Sequence, residues 1–301
     1  MTRKIVIAGG SGFIGRGLEA HFSSKGDNVT VLTRTPSKPN QVGWDGKTQG
    51  AWVGSLEGAT ALINLTGKNI NCRWNDENKR EIIASRTEAI AVLGAALRTL
   101  QKAPKVWIQS AGIDFVGDGP VGRDESAPRA PSGFLTEICA LWEQAFAAQS
   151  DLPIRRALFR IGPVLGQGGG PLVPLATLAK LFLGGSVGAG TQHFSWIHLG
   201  DLAGIFDWAI DNQNASGTYH AVAPNPATNA QFMFALRRAY GRPWSPPVPS
   251  FAARIGAEVI GSPADIVLGG SYGVPKRLLA EGYKFRFPTA DSALADLIPQ
   301  R

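Results

Sequence analysis

Three glycines near the start of the chain have a spacing that suits phosphate binding. Gly9, Gly12 and Gly15 form a GxxGxxG pattern between the β-branched run 4–8 and a segment with helical spacing of apolar residues. In such a strand–turn–helix, the first glycine permits a tight turn, the second lets backbone amides approach a pyrophosphate, and the third lets the helix pack against the strand. The pattern predicts a dinucleotide seat, and the alternative interpretation is a glycine turn without a ligand. The predicted seat comprises Gly9, Gly12, Phe13, Ile14 and Gly15.

A basic residue follows the second predicted strand. The run 28–32 is apolar and β-branched, and Thr33 and Arg34 come next, where an acidic side chain would bond a ribose 2′-hydroxyl. An arginine instead presents a planar fork of donors to a 2′-phosphate. The sequence therefore predicts NADP as the cofactor, with Lys38 adding positive charge nearby. The alternative interpretation is a loop arginine that faces solvent.

Strand-like and helical stretches alternate along the chain that must position these residues. This alternation predicts an α/β fold, a Rossmann-type doubly wound parallel sheet with a smaller C-terminal substrate lobe. Further strands are expected at 61–65, 106–109 and 154–160, with helices over 75–100 and 134–148. We expect an NAD(P)-binding domain over 1–240, with substrate-lobe segments from about residue 166, and a small C-terminal module over 241–301. Candidate aromatic walls of the cleft are Trp74, Phe115, Phe134 and Trp196.

Further motifs, in this order, resemble a known family. They are Asn64-Leu65-Thr66-Gly67, Arg73-Trp74, Ser85-Arg86 and the segments 160–166, 195–201 and 274–283. Together with the glycine loop, they resemble the epimerase-like proteins of the atypical extended short-chain dehydrogenase/reductase type over essentially the whole chain. The resemblance implies an NADP site in which Thr33 and Arg34 hold the adenosine phosphate end and Leu65 and Thr66 line the middle. It also implies cofactor contacts from Gly67, Glu81, Arg86 and Val164. For Glu81 and Arg86, a surface ion pair is the alternative.

The proton-transfer pair that is usual in that superfamily is missing from this chain. Standard members use a tyrosine that exchanges a proton with the substrate oxygen and a lysine four residues later that lowers the tyrosine pKa. Phe134 and Ile138 stand at these two places here. Two hypotheses follow. The first is an NADP-dependent oxidoreductase or epimerase-like enzyme that acts on an unknown small molecule through another proton donor, and the second is a catalytically inactive NADP(H)-binding sensor or scaffold.

Other polar side chains do not settle which residue is catalytic. Ser110 is the hydroxyl nearest to the place of the superfamily's serine, with a serine bonded to backbone as the alternative. Asp114 resembles a pocket acid and receives no role, and Lys79 is either a proton donor or a solvent-exposed lysine. His198 and Asp201 suggest a base and its partner, but Asp201 directly precedes an apolar helical pattern and is expected to be an N-cap. No catalytic residue is assigned.

Composition bounds the remaining function classes. The chain has 301 residues, 44% of them hydrophobic, which is enough for a large core. Two cysteines, Cys72 and Cys139, are too few for a disulfide framework, and no signal peptide or membrane span is visible, so a cytoplasmic protein is expected. The net charge of +7 is scattered, so nucleic acid is not an expected partner. The four histidines lack metal-ligand spacing, so no metal is expected, and the oligomeric state stays open.

Overall fold

A computed structural model describes residues 2–242, 244–259 and 261–298, without the side chain of Val259. Its main sheet has seven parallel strands in the order β10-β6-β5-β4-β1-β2-β3. The strands are β1 (Lys4–Ala8), β2 (Asn28–Thr33), β3 (Gln41–Gly43), β4 (Ala61–Asn64), β5 (Val106–Gly112), β6 (Arg155–Ile161), β7 (Val164–Leu165), β8 (His193–Phe194), β9 (Ile197–His198), β10 (Gly217–Ala221) and β11 (Ala227–Thr228). The predicted doubly wound α/β fold is confirmed.

Helices cover both faces of the sheet, because the side chains of a buried parallel strand need apolar partners on each side. The helices are α1 (Phe13–Ser24), α2 (Asp76–Leu97), α3 (Phe134–Ala147), α4 (Leu172–Lys180), α5 (Leu199–Asp211), α6 (Asn229–Ala239), α7 (Ser250–Val259), α8 (Ala264–Leu268), α9 (Lys276–Ala280) and α10 (Ala290–Leu297). Alternate residues of β1 enter different cores: Ile5 and Ile7 pack with α1 and α5, whereas Val6 packs with α2 and α3. This alternation fixes the strand between two helical layers.

The register of β1 with its neighbours gathers three strand ends at one edge. Ala8 lies opposite Leu32 of β2 and Asn64 of β4. The Gly9 amide donates to the Leu32 carbonyl at 3.0 Å, and the Leu65 amide donates to the Ala8 carbonyl at 2.9 Å. The loops that follow β1, β2 and β4 therefore lie side by side, where open α/β sheets bind ligands.

The C-terminal segment shares a core with the substrate lobe. Buried side chains of α4, α6 and α10, such as Leu172, Phe232 and Leu294, pack in one cluster. Trp196 is fully buried in the same cluster, so its expected place in the cleft wall is wrong. The boundary predicted between residues 240 and 241 stays a prediction.

The expected N-cap role of Asp201 is also wrong. His198 caps α5, because its Nδ1 accepts a hydrogen bond from the Gly200 amide at 3.0 Å. The buried Asp201 carboxylate instead accepts the backbone amides of Arg286 and Phe287 at 2.8 and 2.9 Å. It thereby ties α5 to the C-terminal segment, a contact between residues 85 or more positions apart that a local helix pattern does not reveal.

Three features of the described ranges bear on the function classes. Both cysteines are free thiols, as the sequence predicts. In the part of the chain that the structure describes, no helix is long and apolar enough to cross a membrane, and no three His, Cys, Asp or Glu side chains gather as metal ligands would.

Candidate cofactor and active site

The glycine loop that joins β1 to α1 is built by two close backbone approaches. Gly9 adopts φ of +72°, and a Cβ at this residue would lie 2.9 Å from the Cα of Thr66. A Cβ at Gly15 would lie 2.2 Å from the carbonyl oxygen of Gly10. Both glycines are therefore required by the fold of the loop itself.

Gly12 differs from these two glycines because it borders open space. It is the N-cap of α1, with an ordinary φ of −75°, and no atom lies within 4 Å of the place of a Cβ. The first turn of α1 carries no acidic side chain. The amides and the positive end of the helix dipole are thus left for an anion, and a pyrophosphate fits this arrangement.

Thr33 and Arg34 stand at the end of β2 beside this loop. Thr33 is buried, and its hydroxyl donates to the Ser11 hydroxyl of the glycine loop at 3.0 Å. Arg34 is exposed, and within the described ranges its side chain forms no ion pair or hydrogen bond. Lys38 pairs with Glu19 at 3.5 Å. The Arg34 guanidinium is therefore the more available of the two cations for a phosphate.

The loop after β4 is held rigidly at its first residues. The Asn64 side chain donates to Gln109 Oε1 at 3.0 Å and accepts the Thr66 amide at 3.0 Å. The Thr66 hydroxyl is buried without a hydrogen-bond partner in the described part of the chain. An orphaned donor next to the glycine loop fits a site that is completed by a ligand.

Arg86 of α2 is a buried cation at the same edge. Arg86 is 8% exposed. Its Nη1 donates to the backbone carbonyls of Lys68 and Ile82, whereas its Nε has no hydrogen-bond partner among the described residues. Burial lowers the pKa of the guanidinium to about 10, which still leaves it charged at neutral pH. A Cβ at Gly67 would lie 2.9 Å from its Cζ, so a larger residue at Gly67 would displace the guanidinium.

Glu81 and Arg86 do not form the surface ion pair that was their alternative interpretation. The Glu81 side chain is 56% exposed and pairs with the Lys68 ammonium, which holds the pKa of Glu81 below its ordinary value. Arg86 turns inward. The two residues predicted to face the dinucleotide thus differ in environment, because Glu81 is exposed and Arg86 is buried.

Val164 and Phe13 connect the glycine loop to the substrate lobe. Val164 is buried in β7 and lies opposite Ile197 of β9. The ring of Phe13 packs under the following glycine turn, where a Cβ at Gly169 would lie only 2.3 Å from the ring. No pattern in the sequence predicts this contact with Phe13. The cluster of glycines at 168–170 is the one signal of a close approach to the backbone there.

Phe134 occupies the place of the usual tyrosine and packs between an aromatic ring and a lysine. Its ring meets Trp74 edge-on at 4.9 Å between centroids, and Lys79 Nζ lies 5.2 Å from the Phe134 centroid. Ile138 is buried. Ser110 donates to the Asn64 carbonyl at 2.8 Å, so its alternative interpretation, a serine bonded to backbone, is confirmed. Of these side chains, only that of Lys79 can exchange a proton in place of the tyrosine in this arrangement.

Asp114 lies two residues beyond the end of β5 and is half-buried. Its Oδ1 accepts a hydrogen bond from the Ser271 hydroxyl at 2.9 Å, and its carbonyl accepts one from Thr136 of α3 at 3.1 Å. Burial raises the pKa of the carboxyl above its ordinary value. The sequence signal for this group is only its position after a buried strand.

Two histidines have structural partners. His198, in addition to capping α5, lies 3.3 Å from Asp296, and burial lowers its pKa. His193 pairs with Asp118 at 2.8 Å and stacks on Tyr272 at 3.7 Å between centroids. The pair of His198 and Asp201 is therefore not assembled as a catalytic base and its partner.

Comparisons with known proteins agree with this geometry. The model of the NAD dependent epimerase/dehydratase family matches residues 5–223, and that of a domain of unknown function, DUF1731, matches residues 248–297. The chain is similar to the human epimerase family protein SDR39U1, with 34% identity over 299 residues that cover 98% of this chain and 99% of that protein. It is also similar to the Staphylococcus aureus epimerase family protein SA0724, with 29% identity over 99% of this chain and 100% of that protein.

Solved structures show the same likeness. A crystal structure of human SDR39U1 with NADPH has a TM-score of 0.88 and 34% identity, and covers 98% of each chain. A nucleoside-diphosphate sugar epimerase from Corynebacterium glutamicum has a TM-score of 0.81 and 30% identity, over 99% of this chain and 58% of that one. The resemblance drawn from the motifs is confirmed, and the chain belongs to the NAD-dependent epimerase/dehydratase family.

Proposed function

We propose that this protein binds NADP(H) on the loop from Gly9 to Gly15 and uses the reduced form to reduce, or the oxidised form to oxidise, a small molecule. The observation that carries the proposal is the open space at Gly12, where a helix N-terminus without acidic side chains is left free for an anion. The human relative whose fold it shares has been crystallised with NADPH.

The residues divide along the dinucleotide as follows. The glycine loop, with Phe13 and Ile14, holds the pyrophosphate. Arg34 and Thr33 take the adenosine 2′-phosphate, because a guanidinium fork matches phosphate oxygens. The remaining contacts come from Leu65, Thr66, Gly67, Glu81, Arg86 and Val164.

The orphaned polar atoms support this division. The Thr66 hydroxyl and Arg86 Nε both lack partners among the described residues. A buried donor without an acceptor costs free energy, on the order of 1–3 kcal/mol, and a ligand oxygen removes that cost. NADPH, when bound, supplies a hydride, while the chain must orient the substrate and move a proton.

A second candidate function is an NADP(H) sensor or scaffold without catalysis. Phe134, which packs on Trp74, and the buried Ile138 favour it, because neither side chain can exchange a proton. A cytoplasmic location stays a prediction.

Single-turnover mixing separates the two functions. NADPH absorbance is followed with a panel of small carbonyl compounds, for the unchanged protein and for a Phe134→Tyr, Ile138→Lys variant. Oxidation of NADPH by the unchanged protein supports the oxidoreductase. Oxidation only by the variant supports the sensor or scaffold, and failure of the unchanged protein to bind NADPH in a fluorescence titration overturns the shared proposal.

A further inference from the structure

The carboxyl group of Asp114 lies at the ligand edge of the sheet, in a chain whose usual proton-transfer pair is replaced by Phe134 and Ile138. Asp114 follows β5, which lies between β4 and β6 in the sheet. The carboxyl ends of parallel strands form the ligand edge of such a sheet. The residue as a whole is only partly buried at this edge.

Two distant segments fix the position of Asp114. Thr136, in the first turn of α3, donates to its backbone carbonyl at 3.1 Å. Ser271, from the C-terminal segment, donates to Oδ1 at 2.9 Å, and is itself held because its carbonyl accepts a hydrogen bond from Ser195 at 2.6 Å. Because Thr136 fixes its backbone and Ser271 its side chain, Asp114 is a preorganised group rather than a mobile surface acid.

The hydrogen bond from Ser271 also distinguishes the two carboxyl oxygens. Because Oδ1 accepts the hydrogen bond from the Ser271 hydroxyl, the acid proton of a protonated Asp114 is placed on Oδ2. A Cβ at Gly112 would lie 3.8 Å from Oδ2 and 2.7 Å from the sulfur of Cys139. Oδ2 therefore borders the last residue of β5, on the side of α3.

The groups around Asp114 favour the protonated form of its carboxyl over the charged form. Burial raises the pKa of the carboxyl, and the buried Cys139 thiol of α3, whose pKa burial also raises, brings no charge. Within the described ranges no cation pairs with Asp114, since Arg160 is paired with Glu143 at 2.7 Å and Arg86 donates to backbone carbonyls. A carboxyl in such surroundings keeps its proton to a higher pH than an exposed one does, which suits a general acid.

We propose that Asp114 is the proton donor of this protein in the reduction of a small carbonyl compound, in place of the tyrosine replaced by Phe134. This inference rests on the proposed oxidoreductase function. The carbonyl carbon gains the hydride that the bound dinucleotide supplies, and the π electrons move to the carbonyl oxygen. The O–H bond at Oδ2 breaks, the proton joins that oxygen to form an alcohol, and solvent returns a proton to the Asp114 carboxylate. Ser271 is a positioning residue that acts through Oδ1.

The protonation state is tested without turnover. Infrared difference spectra at pH 7 compare the unchanged protein with Asp114→Asn, which keeps an acceptor for the Ser271 hydroxyl. We expect a carbonyl stretch of a protonated carboxyl that is lost in Asp114→Asn and moves to higher frequency in Ser271→Ala. A spectrum without that band means an ionised Asp114 and overturns the proposal.

Activity supplies the second test, with Asp124→Asn as a matched control that removes a carboxylate from the same connecting segment. Single-turnover NADPH oxidation should fall by at least about 100-fold in Asp114→Asn, because general acid catalysis contributes about 10²–10⁴-fold. Asp124→Asn should keep the rate, and all three proteins should bind NADPH equally. In Ser271→Ala the pH at which the rate falls should shift. Equal rates in the unchanged protein and Asp114→Asn overturn the role of Asp114 but leave the oxidoreductase standing, whereas no oxidation by the unchanged protein overturns the oxidoreductase itself.

Discussion

The guanidinium of Arg86 lies 4.8 Å from the ring centroid of Trp142, and in the part of the chain described it has no carboxylate partner. Stacking on an indole stabilises a cation only in part. A buried positive charge without a counter-ion opposes folding and favours the binding of an anion. Arg86 is therefore expected to affect cofactor binding more than the stability of the cofactor-free protein.

Arg86→Met tests this difference. We expect NADPH affinity to fall by about 1.5–3 kcal/mol, the usual contribution of a charge-assisted hydrogen bond. The free energy of unfolding without cofactor should fall by less than about 1 kcal/mol, because methionine fills similar space and removes an unpaired charge. Titration with NADPH and urea denaturation give the two values. Arg98→Met, at the other end of α2, is the control that should bind NADPH normally. Equal losses of affinity and stability would show that Arg86 is only structural.

Arg34→Ala tests the preference for a 2′-phosphate. Because the exposed guanidinium is expected to contact only that phosphate, NADPH binding should weaken by about 1.5–3 kcal/mol and NADH binding should change little. Lys38→Ala should have a smaller effect, since Lys38 pairs with Glu19. Competition titrations of both dinucleotides measure the ratio. Equal losses for NADPH and NADH would contradict the assignment of Arg34.

His220 predicts how stability depends on pH. It is buried, its Nδ1 donates to the Val274 carbonyl, and Arg160 lies 3.3 Å from its Nε2. Burial and the nearby guanidinium lower the pKa of His220 to about 3. As pH falls, the unfolded chain therefore binds a proton at this histidine before the folded protein does. The contribution of neutral His220 to the free energy of unfolding is complete above the ordinary histidine pKa of about 6.5. It is lost by about 1.4 kcal/mol per pH unit as pH falls from there toward 3.

Urea denaturation at pH 7 and pH 5 measures this dependence. The loss of unfolding free energy between the two pH values should be smaller in His220→Gln than in the unchanged protein. His198→Gln serves as a comparison, because burial lowers the pKa of that histidine too. An identical pH dependence with and without the His220 side chain would refute a neutral His220 in the folded state.

Gly15→Ala should damage the fold rather than the ligand contacts. A methyl group at this residue meets the Gly10 carbonyl oxygen at 2.2 Å, so α1 must move away from β1. Overpacking of this kind costs about 1–3 kcal/mol of unfolding free energy. Thermal denaturation of the cofactor-free protein measures this loss. An unchanged midpoint would mean that α1 moves away from β1 without a cost in stability.

Local patterns in the sequence predict the parts of the site that local structure builds. The GxxGxxG spacing and the end of β2 at Thr33 both depend on neighbours within one strand or turn. The predicted helix over 75–100 ends at Leu97, because helix ends lack a periodic signal.

Contacts between distant segments are not visible in such patterns. Ser271 reaches Asp114 across 157 positions, and Asp201 reaches Arg286 across 85. The burial of Arg86 also depends on Trp142, a residue of another helix. Each of these contacts arises from the packing of whole elements, so a single sequence carries no periodicity that marks it.

The dissociation constant of NADPH for Gly12→Asn tests the cofactor seat most directly. Asparagine is a favoured N-cap, the residue has an ordinary φ, and no atom lies within 4 Å of the Cβ position, so the cofactor-free protein should keep its stability. The new side chain, however, occupies the space and the amides assigned to the pyrophosphate. NADPH affinity should fall by more than about tenfold, or 1.4 kcal/mol, while Gly256→Ala, another glycine in open space, should bind normally. Unchanged NADPH affinity in a folded Gly12→Asn protein would contradict the seat on this loop.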